Sequence, residues 1–98
     1  MTIRQNKEND SLTIFVEGKI DTNTAPAFLE YLQKELHGVA HLVIDLEKVD
    51  YISSAGLRTI LFAQRTMNSQ GDLIIRNVNE DIMETFELTG FVDILTIE

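Results

Sequence analysis

Cysteine is absent from this sequence, which excludes disulfides, thiolate nucleophiles and thiolate metal sites together and suits a reducing compartment. Proline occurs once, at Pro26, and no Pro/Gly/Ser-rich stretch, repeat or low-complexity run divides the chain. A single domain over residues 1–98 is therefore expected, of a length that buries roughly 60–70% of the unfolded chain's surface without a covalent staple. Long apolar runs are missing too. The opening segment Met1–Asp10 lacks the apolar core of a signal peptide, and nothing later approaches the roughly 20 residues of a membrane span, so a cytoplasmic location is expected. Basic residues are scarce: 8 against 16 acidic ones give a formal charge of -8, which disfavours direct nucleic-acid binding and attachment to an anionic membrane. This acidity reads as a solubility feature before it reads as a recognition patch.

Catalytic signatures are equally thin. Neither G-x-G-x-x-G nor a Walker lysine motif is present, so the common phosphate-cradling loops are missing and no cofactor is expected. No G-x-S-x-G elbow presents a serine nucleophile. The two histidines, His37 and His41, are separated by Gly38, which ends the helix on which their spacing would align them for a metal. Both read as solvated or satisfied rather than catalytic. Asp21, Asp45 and Asp50 could bind a divalent ion only if the fold gathered them at one sheet edge. The residues thus point to a regulatory binding domain rather than an enzyme, with no catalytic or metal residue to name.

What is present is a regular alternation of strand and helix signals. Leu12, Ile14 and Val16 alternate along a strand with one buried face, ended by Gly18, and Ile3 marks a short edge strand joined to it by a turn at Asn9-Asp10. Asp21-Thr22-Asn23-Thr24-Ala25-Pro26 offers N-caps and a first-turn proline. The helix that follows to about His37 carries Phe28, Leu29, Leu32 and Leu36 at spacings of three and four, before Gly38. The consecutive apolar runs Leu42-Val43-Ile44 and Leu73-Ile74-Ile75 read as strands covered by helices on both faces, with Asp45–Asp50 leading away from the first. Between them Leu57, Ile60, Leu61, Gln64 and Met67 recur at helical spacing from Ser54 to Gly71. Asn79 caps a short helix with Ile82, Met83 and Phe86, closed by Gly90, and a last strand is expected near Val92–Ile97. This order predicts an α/β domain with a mixed sheet of about four or five strands flanked by helices.

The junction Asp50-Tyr51-Ile52-Ser53-Ser54-Ala55-Gly56-Leu57 opens the second helix with two serines. Either could simply be its N-cap, a role serine favours. Gly56 is harder to explain, because glycine in a first turn costs stability unless something approaches closely, and a docking partner could be what approaches. A phosphoryl group here would meet the positive end of the helix, so it could add about -1.5 to -2 charges without unfolding the domain.

These residues resemble the STAS family, specifically the anti-sigma factor antagonists of bacterial partner-switching systems. Asp50–Leu57 is similar to the family's phosphorylation-site motif, Gly18-Lys19-Ile20-Asp21-Thr22-Asn23-Thr24 to the segment opening its first helix, and Phe86-Glu87-Leu88-Thr89-Gly90-Phe91 to its late helix. The resemblance implies that Ser54 is the phosphoacceptor and that Asp21, Thr24, Ser53, Ser54, Ala55, Gly56 and Leu57 lie at or beside the docking surface. It implies capture of an anti-sigma factor that is also a serine kinase, release of a sigma factor, inactivation by phosphorylation, and restoration by a serine phosphatase. Ser53 stands where many members have aspartate, which makes it a rival acceptor. Two other readings compete: a STAS subunit that docks on a transporter or larger signalling assembly without phosphorylation, and a small hydrolase using Ser54.

Overall fold

Leu12, Ile14 and Val16 are all but fully buried while Phe15 and Glu17 are exposed, the alternation of a strand with one face against a core. The computed structural model describes all 98 residues and places them in β1 (Thr2–Glu8), β2 (Ser11–Ile20), α1 (Ala25–Glu35), β3 (His41–Ile52), α2 (Ser54–Asn68), β4 (Asp72–Arg76) and α3 (Glu80–Thr89), followed by a 3₁₀ turn at Phe91–Asp93. The four strands form one mixed sheet in the order β1-β2-β3-β4, with β1 antiparallel to β2 and the rest parallel. The expected α/β class with a mixed sheet and flanking helices is therefore what the chain adopts.

The register builds the core in rows. Leu12, Leu42 and Leu73 are cross-strand partners, as are Ile14, Ile44 and Ile75, and all six are buried. Phe28 and Leu32 of α1, Leu57, Ile60, Ala63 and Met67 of α2, and Ile82 and Phe86 of α3 join these rows in a single apolar cluster of 22 residues. Burying such side chains contributes about 1.5–3 kcal/mol each, which is why the helices gather on this face.

The opposite face differs from the sequence expectation. Val43 and Ile74 were expected beneath helices, yet they lie with Thr13 on a row that is only half-buried, and Phe15 in the next row is 39% exposed. Two right-handed crossovers that step the same way along a sheet put α1 and α2 on the same side, where they pack together. Asp45 is the buried polar group of this outer face; its carboxylate accepts hydrogen bonds from the Glu47 amide (2.9 Å) and Asn77 Nδ2 (2.9 Å).

Other boundaries shift as well. The edge strand β1 is not short, and β2 runs through Gly18, whose φ of +101° accommodates a register irregularity instead of ending the strand. β3 continues through Asp45–Asp50 to Ile52, and α1 stops at Glu35, two residues early. The expected strand over Val92–Ile97 is replaced by the 3₁₀ turn and one parallel bridge from Ile97 to Ile75. Asn79 does cap α3, its Oδ1 accepting from the Ile82 amide at 2.8 Å, and its Nδ2 donates to Val49 O at 3.0 Å, which ties that helix to β3.

Candidate functional site

Because β2 and β3 are parallel and each feeds a helix, their ends deliver the openings of α1 and α2 to the same edge of the sheet. Ile20 and Ile52 are register partners, so Asp21–Thr24 and Ser53–Leu57 emerge side by side. The Ser53 amide donates to Ile20 O at 2.9 Å and locks the two segments together.

Ahead of α1, the Asp21 carboxylate accepts from the amides of Asn23 (2.9 Å) and Thr24 (3.1 Å). Thr24 Oγ1 accepts from the Asp21 amide (2.9 Å) and donates to Lys19 O (2.8 Å). A hydroxyl has one proton, so the longer approach of Thr24 Oγ1 to Asp21 Oδ1, 3.3 Å, is the weaker alternative. The Thr24 amide, foremost, holds the Asp21 carboxyl below its usual value, with Asn23 and Lys19 adding to the effect. The turn therefore presents a carboxylate whose negative charge its own backbone amides favour.

At α2 the two serines separate into different roles. Ser53 is the N-cap, extended at φ -93° and ψ 176°, with its Oγ accepting from the Gly56 amide at 3.2 Å. Ser54 is the first helical residue, exposed, and its hydroxyl makes no hydrogen bond within the protein. Ala55 is half-buried beside it, whereas Gly56 and Leu57 are buried.

The reason for Gly56 changes accordingly. A Cβ there would lie 2.6 Å from Ile20 O, 2.8 Å from Ile20 Cγ2 and 2.8 Å from Ile52 Cγ1. A close approach that demands glycine is already made by this chain's own β2 and β3, and Gly56 and Leu57 lie buried beneath the surface.

Beside Ser54 a groove of about 450 Å³ runs between α1 and α2, lined by Thr22, Ala25, Pro26, Leu29, Ala55, Arg58, Thr59 and Phe62. Arg58 is its only charged residue, is exposed, and has no ion-pair partner in the protein. Arg58 stands one helical turn after Ser54 and belongs to no motif in the sequence.

The remaining polar candidates lie elsewhere. His41 begins β3 and Ser54 follows its far end, so the two are at opposite ends of a 12-residue strand. His41 Nδ1 instead pairs with Asp72 Oδ1 at 2.7 Å. No group of three or more His, Asp or Glu side chains is placed to hold a metal ion, and Asp45 is committed to Glu47 and Asn77. No helix is long and apolar enough to cross a membrane.

Fold and site together define a small α/β module that displays a helix-opening serine on an exposed edge. Its sequence matches the STAS domain over residues 2–98, and the chain belongs to that family. It is 34% identical over 95 residues to the anti-sigma-B factor antagonist of Listeria monocytogenes, covering 94% of this chain and 82% of that protein. The fold matches an anti-sigma factor antagonist from Mycobacterium paratuberculosis with a TM-score of 0.88 at 22% identity, covering 98% and 83% of the two chains. It also matches the Bacillus cell fate determinant SpoIIAA in its phosphorylated form with a TM-score of 0.76 at 14% identity, covering 99% and 91%.

Proposed function

We propose that this protein is an anti-sigma factor antagonist that binds an anti-sigma factor/serine kinase while Ser54 is unphosphorylated, releases a sigma factor for transcription, and is switched off when Ser54 is phosphorylated. The observation that carries this reading is the division of labour at α2: Ser53 is spent on the cap, and Ser54 is left exposed with a free hydroxyl at the positive end of a helix. The family match, the Listeria relative's name and the phosphorylated SpoIIAA neighbour support it.

In the phosphorylation step Ser54 Oγ attacks the γ-phosphorus of ATP held by the kinase. The Oγ–P bond forms as the bond to the β,γ-bridging oxygen breaks, ADP leaves, and the hydroxyl proton passes to a base on the kinase. The phosphatase reverses the modification with water as the nucleophile, yielding free serine and inorganic phosphate. This chain supplies no catalytic group; it is substrate and ligand. Asp21, Thr24, Ser53, Ser54 and Ala55 form the docking edge, Gly56 and Leu57 hold it from below, and the added dianion repels the partner.

The test is incubation with the cognate kinase and ATP, followed by mass spectrometry. Phosphate on Ser54 is the expected result. Phosphate on Ser53 or elsewhere overturns the site assignment, and absence of phosphate with capture of transporter components points instead to a docking subunit.

A further inference from the structure

Ser54 and Arg58 are four residues apart on the continuous helix α2, and both are exposed. Residues at that spacing face each other across one turn, with Cβ atoms about 5–6 Å apart. The guanidinium has no acidic partner to give up, and apart from it the groove beside it is uncharged. A phosphate on Ser54 Oγ would be a strongly hydrogen-bonding dianion within reach of that fork of donors.

We propose that Arg58 is the residue that holds the Ser54 phosphate, an intrahelical clamp that fixes the phosphoryl group over the opening turn of α2. It rests on Ser54 being the acceptor, as argued above, and adds the means by which the modified state is ordered. Arg58 is a positioning residue: it plays no part in forming the Oγ–P bond and acts only on the product. By pairing with the phosphate it draws the guanidinium toward Ser54 and away from the α1–α2 groove, so modification changes the charge at Ser54 and at the groove mouth together. An unpaired phosphoserine would change only the first.

The test uses full-length protein with phosphoserine incorporated at position 54 during translation, so that no kinase is required, and follows the phosphate's second ionisation by ³¹P NMR across pH 4–9. Pairing with a cation favours the dianion, so the phosphate in the parent should titrate at lower pH than in Arg58→Gln. The expected difference is about 0.2–0.4 pH unit, the equivalent of one exposed i,i+4 ion pair, and it should shrink in 1 M salt. Arg58→Lys should retain part of it. Arg65→Gln removes the same charge from the same helix 11 residues from Ser54 and should leave the titration in place. The amide end of the helix acts on every variant alike and cancels from the comparison. Identical titration in the parent and Arg58→Gln overturns the clamp, as does an equal shift in Arg65→Gln. A failure of kinase phosphorylation at Ser54 would overturn the proposed function while leaving this measurement intact.

Discussion

Replacing Gly56 with alanine separates two explanations of this glycine. The new methyl would be 2.6 Å from Ile20 O and 2.8 Å from the side chains of Ile20 and Ile52. Ile20 O is backbone and already accepts from the Ser53 amide at 2.9 Å, so it cannot retreat without loosening the joint between β2 and the start of α2. Relief requires α2 to lift, which stretches that bond and the 3.2 Å cap from Ser53 Oγ to the Gly56 amide. Overpacking of this kind costs about 1–3 kcal/mol and a weakened hydrogen bond about 0.5–1.5 kcal/mol, against a helix-propensity gain of at most about 1 kcal/mol for alanine over glycine. The net expectation is a loss of about 0.5–3.5 kcal/mol, or roughly 4–8 °C in Tm for each kcal/mol in a domain of this size. Urea and thermal unfolding, each followed by circular dichroism, measure it. A variant as stable as the parent that has lost partner binding would refute the internal-packing explanation and restore the docking one.

Further outcomes concern the two serines at the opening of α2 and, at the other end of β3, the His41–Asp72 pair. Ser53→Ala removes an N-cap and should cost about 0.5–2 kcal/mol in chemical denaturation, whereas Ser54→Ala, losing no internal hydrogen bond, should stay within about 0.5 kcal/mol of the parent. The reverse ranking would mean that Ser54 is the cap. The hydrogen bond and charge of Asp72 raise the His41 pKa above 6.5; burial opposes them, and Asp10 adds a smaller upward contribution. Because the folded value is the higher one, the pair's stabilisation is complete below pH 6.5 and fades as pH rises through the folded pKa. Asp72→Asn should move the His41 ring-proton NMR titration downward, and an unmoved titration would show that the pair does not form in solution.

The sequence made the helix openings legible because caps are local. Asn79 and the serine pair are read from a few neighbouring residues, and the only open choice, which serine caps, was settled by how the chain enters the helix. Which sheet face lacks helices is a long-range property. Val43 and Ile74 are apolar and β-branched, which suits any strand, and nothing in their neighbourhood says that both crossovers pass on the other side. The polar run Asp45–Asp50 concealed the second half of β3 because register irregularities space its buried residues Leu46, Val49 and Ile52 by three instead of two. The contact that Gly56 permits is long-range as well, since Ile20 lies 36 positions earlier and meets it only once β2 and β3 pair. A lone arginine such as Arg58 on a polar helix face carries no signal until Ser54 is known to be free and the groove beside it is seen.

In the proposed switch, the exposed, uncommitted Ser54 hydroxyl marks the surface that a partner covers and phosphorylation closes. Isothermal titration of the cognate anti-sigma kinase with unmodified protein and with protein carrying phosphoserine at position 54 tests it most directly. The unmodified form should bind tightly and lose at least about tenfold in affinity on phosphorylation, equivalent to about 1.4 kcal/mol of repulsion and lost contact. Equal affinity of the two forms would contradict it.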